Sequence, residues 1–208
     1  MISDLADTTL LAKNFTFGRK DKPRVIVLHT TENSTAPGVA RNVATWFAGK
    51  GHAPPPEASA HYIVGPEEIL GCVDEQDTAW HAPPANPYGI GIEMVARAAY
   101  TAEDWARPEV EEMLERATML VADICGRWAI PVAFLDEEAL RRGDAGITTH
   151  AAVSRAFGKS THWDPGAGFN VEAFLVRVQD QLDARATDPA DPPEALPPSP
   201  VQTSPAPA

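Results

Sequence analysis

Two short apolar runs, RVIVLH at residues 24–29 and GIGIEMV at residues 89–95, constrain this chain more than any other feature. Both are too short for a stable helix and rich in β-branched or apolar side chains, so both read as strands, the first of them buried. A buried strand needs a partner on each edge and a cover on each face, so the remaining chain must supply more strands and some helices. AHYIV and ILGCV flank GPEE and predict a β-hairpin, TAWHA a further short strand, and PPANP a turn.

The helices follow from apolar spacing. Pro37 is expected to open one that carries Val39, Val43, Trp46 and Phe47 on a single face, with Gly49 and Gly51 ending it. A longer one begins near Pro108. Its stripe is Val110, Met113, Leu114, Ala117, Leu120, Val121, Ile124 and Trp128, and Glu109, Glu111 and Glu112 suit its positive N-terminus. Residues 143–169 read mostly as loop, and a final helix turns Val171, Phe174, Leu175, Val178 and Leu182 inward. Strands mixed with helices in this way predict an α/β or α+β domain built on one sheet.

That domain is expected over residues 22–185, after an N-terminal extension at 1–21. Residues 187–208 hold eight prolines with no aromatic or basic side chain. Proline fixes φ and removes a donor, and such a stretch has nothing to bury, so 186–208 reads as an extended linker or tail. A spacer of this kind is expected to lead to another module.

With 17 basic and 29 acidic side chains the net charge is −12, which argues against nucleic acid, since phosphate binding rests on clustered Lys and Arg. No apolar run reaches the roughly 20 residues that a membrane-spanning helix needs. The start, MISDLADTTLLAKN, lacks the apolar core of a secretory signal, so synthesis in the cytoplasm is expected. Two cysteines, Cys72 and Cys125, make neither a disulfide scaffold nor a Cys-rich zinc site, and both sit in apolar patterns as small hydrophobes. Gly158-Lys159-Ser160 imitates a phosphate-binding loop but has Val153 where the motif needs glycine; G-x-S-x-G and H-E-x-x-H are absent.

The histidines carry the chemistry. His29 closes the first strand, His150 follows Gly-Ile-Thr-Thr, and His162 and Asp164 share the loop Thr-His-Trp-Asp-Pro-Gly. Two histidines and one carboxylate from separate loops suit a tetrahedral zinc whose fourth position is left to water. Spacing alone leaves open whether these side chains are ligands or merely packed or exposed ones. It also leaves open an Asx-turn for Asp164.

VIVLHTTE, SAHYIV, AWHA, NPYGIGIEMV, ITTHAAVS and HWDPG, in this order, resemble the zinc-dependent N-acetylmuramoyl-L-alanine amidases. That family is shared with peptidoglycan recognition proteins and phage lysis amidases, and the likeness covers about residues 22–180. It implies an α/β fold with a single mixed central β-sheet flanked by helices. The reaction it implies is hydrolysis of the amide between N-acetylmuramic acid and the L-alanine of the stem peptide, with peptidoglycan as partner and one Zn2+ as cofactor.

Residue by residue, the resemblance puts the metal ligands on His29, His150 and Asp164 and the general base on Glu93. It puts oxyanion stabilisation on His162, which sits where several relatives have lysine. The alternatives are His162 as acid toward the leaving group, His162 as ligand with Asp164 behind it, and Glu93 as a paired strand-end carboxylate. His61 fits a position lining the site. Some phage relatives have a catalytic tyrosine just before that histidine; here the residue is Ala60, and alternation turns Tyr62 to the other face. Trp80 and His81 either contact the glycan or stem peptide or simply pack, and Asn86 either orients substrate or caps a turn. His52 reads as exposed.

A catalytically silent peptidoglycan-binding module of this fold and a cytosolic muropeptide-recycling amidase are the competing readings. The proline-rich tail and acidic charge favour a phage lysis enzyme that acts on the cell wall and leaves wall attachment to a C-terminal binding domain.

Overall fold

The computed structural model of the chain describes residues 1–51 and 53–187. His52 and nearly all of the expected proline-rich tail lie outside the described residues. Strands β1 (Thr8–Thr9), β2 (Phe15–Thr16) and β3 (Val25–Thr30) come first, followed by helix α1 (Val39–Phe47) and the hairpin β4 (Tyr62–Val64) and β5 (Ile69–Gly71). Next are β6 (Thr78–Ala79), a 3-10 turn at Asn86–Tyr88, and β7 (Gly89–Met94). Helices α2 (Ala102–Trp105), α3 (Pro108–Trp128) and α4 (Glu137–Arg142) lead to β8 (Gly146–Thr149), α5 (His150–Phe157) and α6 (Val171–Thr187).

Six strands form one mixed sheet in the order β1-β5-β4-β7-β3-β8, parallel at every pairing except β4 with β5. β2 and β6 make a separate antiparallel ribbon. All six residues of β3 are buried, as a strand between two parallel neighbours should be. Its alternation divides the interior. Ile26 and Leu28 join the larger apolar cluster, which the α3 stripe and Phe174 and Val178 of α6 complete. Val25 and Val27 join a smaller one with Leu135, Leu140 and Val153 beside α4 and α5. His29 is next in the Val25, Val27 series, so it stands on the face of the smaller cluster.

Several elements differ from expectation. Residues 143–169 are loop for the larger part, but they also hold β8 and α5, which the pattern did not show, and α4 precedes them. β8 has a single large apolar residue, so there is no period to read, and it exists because it pairs with β3 more than a hundred residues away. α4 owes its start to Asp136, which accepts from the Glu138 and Ala139 N–H groups, and its end to Gly143 at φ 84°. α1 starts at Val39 rather than Pro37, and it buries Ala40, Ala44 and Phe47 while Trp46 stays exposed. Val39 and Val43 pack partly buried beside them, so of the expected stripe Trp46 alone stands out from the core.

Residues 1–21, read as an extension, contribute to the sheet. β1 pairs with β5, and the Ser3 N–H donates to the Tyr62 hydroxyl at 2.7 Å. Within TAWHA only Thr78 and Ala79 are strand.

Candidate metal centre

Parallel strands end together, and their carboxyl ends leave a crevice in which sites are built. His29 is the fifth residue of β3 and lies in register with Glu93 of β7, so both side chains rise from one face. His150 opens α5 directly after β8, where the Thr149 side chain caps the helix by accepting from the Ala152 N–H. Asp164 is tied to the same helix, its carbonyl accepting from the Ala151 N–H at 3.0 Å. Beyond it Gly166, at φ 86°, comes so close to Ala98 that a Cβ would sit 1.8 Å from that carbonyl oxygen. Glycine is required there for the ligand loop to dock.

These elements bring His29, His150 and Asp164 together, each almost fully buried. The two Nδ1 atoms are 3.0 Å apart. Asp164 reaches His29 Nδ1 with Oδ2 at 3.3 Å and His150 Nδ1 with Oδ1 at 3.4 Å. A tetrahedron with ligands about 2.0–2.2 Å from its centre has edges of roughly 3.3–3.6 Å. The two nitrogen–carboxylate distances fall in that range and the Nδ1–Nδ1 distance of 3.0 Å is a little short of it, so this donor set can take a zinc ion after a small outward shift of the rings. Its charges fit too. Burial alone would raise the Asp164 carboxyl, but hydrogen bonds to His150 and His29 hold it well below the usual carboxylate range. Burial lowers His29, which favours the neutral, ligating imidazole.

Beside the triad stands Glu93, whose Oε2 is buried and has no hydrogen-bond partner among the described residues. Burial, then the negative charges of Asp164 and Glu32, push its carboxyl up to about 8; a bound cation would offset part of that rise. His162 lies at the mouth with its side chain 63% exposed, its ring stacked on His150 at 4.2 Å and its Nδ1 3.5 Å from Asp164 Oδ1.

The remaining expected site residues are spread around this core. His61 is wholly buried: its Nδ1 accepts from the Gly91 N–H at 3.0 Å, and its Nε2 lies 2.7 Å from Arg19 and 3.3 Å from the Asp77 carbonyl. It has no surface to offer a substrate. His81 is turned inward onto His29, with Nδ1 3.0 Å from His29 Nε2. Trp80 keeps an exposed edge and donates its Nε1–H to Thr16 Oγ1 at 2.9 Å. Asn86 caps the turn, its Oδ1 accepting from the His81 and Ala82 N–H groups at 3.1 and 2.7 Å. Tyr62 points to the opposite face and bonds Glu75. Burial pushes the Cys72 and Cys125 thiols up to about 12, which leaves neither as a nucleophile.

Three neighbours escaped the sequence reading. Arg19 backs His61 from the segment set apart as an extension. Ser160, noticed only as part of a failed phosphate loop, lies 3.4 Å from His150 Nε2 and 2.6 Å from Ser154 Oγ. Trp163, between His162 and Asp164, is 56% exposed at the mouth. Ser154 is one turn after His150 on α5, a spacing that could have signalled the contact.

Comparison with known proteins gives the family and the fold. The family described as N-acetylmuramoyl-L-alanine amidase matches residues 19–167. N-acetylmuramoyl-L-alanine amidase A of Achromobacter lyticus is 30% identical over 152 residues, spanning 69% of this chain and 76% of that protein. Among solved structures, the hydrolase AmiA of Staphylococcus aureus, in complex with its ligand, superposes with a TM-score of 0.64 at 17% identity, covering 88% of this chain and 84% of that one. A mutant endolysin from Bacillus subtilis superposes with a TM-score of 0.55 at 18% identity, covering 86% and 99%. At such identities these two carry the fold alone.

Proposed function

The chain belongs to the N-acetylmuramoyl-L-alanine amidase family, and from that membership we propose a zinc-dependent hydrolase that uses His29, His150 and Asp164 to hold the metal. It is an amidase acting on peptidoglycan. The observation that carries the zinc reading is the convergence of three buried donor side chains, with ligand atoms within 4.8 Å of one another, beside a buried Glu93 oxygen that has no partner among the described residues. Zinc, when bound, supplies Lewis-acid polarisation of the scissile carbonyl and eases ionisation of the attacking water.

The chain's own residues do the rest. Glu93 takes a proton from water as oxygen adds to the lactyl carbonyl carbon, and it returns that proton to the L-alanine nitrogen as the C–N bond breaks. The products are a muramic acid carboxylate and a stem peptide with a free amine. His162, exposed at the mouth, donates N–H to the oxygen on which negative charge develops. Trp80 offers its exposed edge to the glycan or stem peptide.

The proline-rich tail and the −12 charge favour a lysis enzyme, of the kind phages release, acting on the polymeric wall with a separate wall-binding module. The test is digestion of purified peptidoglycan by metal-free and zinc-loaded protein. Zinc-dependent release of L-alanine amines, abolished by chelation, is expected; new reducing sugar ends or binding without release would overturn the chemistry. A strong preference for soluble muropeptides over intact wall would replace lysis with recycling.

A further inference from the structure

Both zinc-facing histidines present Nδ1 to the centre, and the opposite nitrogen of His29 meets another imidazole. His29 Nε2 and His81 Nδ1 lie 3.0 Å apart with the rings at 86°. We infer that His81 is a positioning residue for the metal site, accepting the Nε2 proton of His29 and thereby fixing which nitrogen His29 offers to zinc. This rests on the metal reading above.

Proton accounting supports it. An imidazole that ligates through Nδ1 carries its proton on Nε2, so His29 must donate there, and His81 Nδ1 must accept. A neutral His81 then keeps its own proton on Nε2. That atom is buried and has no partner among the described residues. Leaving a buried N–H unpaired is costly, and the arrangement makes sense if the acceptor on the other side of the ring is what the fold requires.

The surroundings hold the ring in that pose. Gly91 of β7 has no side chain, and a Cβ there would lie 2.5 Å from His81 Cγ. At Gly89 a Cβ would meet Cε1 and Nε2 at 3.3 and 3.4 Å. The alternating glycines of GIGIEMV thus form the seat on which His81 lies. The backbone at His81 is pinned by Asn86, whose Oδ1 accepts the His81 and Ala82 N–H groups. A residue held this way serves its neighbour in the protein, not a substrate in the cleft.

The test is zinc affinity, measured on the full chain by competition with a chromophoric chelator and requiring no turnover. His81→Phe keeps the ring and removes the acceptor; it should weaken zinc about 10–100-fold, the usual cost of losing such a partner. His81→Asn restores an acceptor at the δ position and should bind zinc much closer to wild type. Should His81→Phe fail to fold, long-range 1H–15N spectra of the zinc-loaded wild type decide: His81 should carry its proton on Nε2. Wild-type zinc affinity in His81→Phe, above all with a raised KM for peptidoglycan, or a proton on His81 Nδ1 in the zinc-loaded protein, would overturn the inference and leave the metal centre standing. A wild type that binds no zinc would overturn both.

Discussion

The buried polar cluster around Glu75 and the one around His29 differ in how far their hydrogen-bond partners are met among the described residues. Around Glu75, which is wholly buried, every demand is met from within. Its carboxylate accepts from both terminal nitrogens of Arg127 at 2.6 and 2.7 Å, from the Tyr62 hydroxyl and from the Trp128 indole. Asp123 extends the network to Ser3, Arg127 and Arg185 at 2.6, 2.8 and 2.9 Å. Around His29 the demands are not met. Two Nδ1 atoms crowd one carboxylate, and Glu93 Oε2 and His81 Nε2 have no partners among the described residues. A native interior rarely leaves buried polar atoms unpaired without a reason. The complete cluster ties the N-terminal residues to α3, whereas the one around His29 is where the proposed metal would sit.

That contrast can be broken experimentally. The largest expected effect is from His29→Ala or His150→Ala, which should lose zinc binding and amidase turnover together, the first read by metal content and the second by amine release, with the metal-free fold kept. Next comes the complete cluster. Glu75→Ala leaves Arg127 without its principal partner and should cost about 3–5 kcal/mol in denaturant unfolding, while zinc affinity in the folded protein stays unchanged.

Glu93→Gln should keep zinc and lose turnover by roughly 100-fold or more if Glu93 is the base; normal turnover would remove that role. It also has a stability signature in the metal-free protein. The folded carboxyl stands at about 8 against its ordinary 4.5, so folding favours its protonated form. Wild-type stability should fall as pH rises between those values, and Glu93→Gln should be free of that loss, by up to a few kcal/mol near pH 8. Parallel urea titrations at pH 5 and pH 8 read the difference. His162→Ala should reduce turnover by about 100-fold with little change in zinc affinity, and His162→Lys should recover most of it. The smallest effect is at the cysteines: with thiols near 12, alkylating reagents at pH 8 should leave activity intact.

Much of this was legible beforehand. RVIVLH, GIGIEMV and the α3 stripe announce themselves because burial on both faces, or on one stripe, leaves a periodic trace. His29, His150 and Asp164 were legible only through the family resemblance, since spacing alone left open whether they ligate a metal or merely pack. β8 and α5 were read as loop because four residues with one large apolar side chain carry no period. The role of residues 1–21 was missed because β1 and β2 are two residues each and exist only through pairing with β5 and β6.

What the sequence determined alone was the class of chemistry and the strands and helices with strong patterns, since residue type and periodicity are local properties. Which imidazole nitrogen faces the centre, what stands behind it, and which buried groups lack partners were decided only in three dimensions. His81 shows why. Its neighbours are His29, 52 positions away, and two glycines of β7, and no spacing rule connects them. A hydrogen bond extends only about 3 Å, so its partners are set by how the sheet folds and not by their order in the chain.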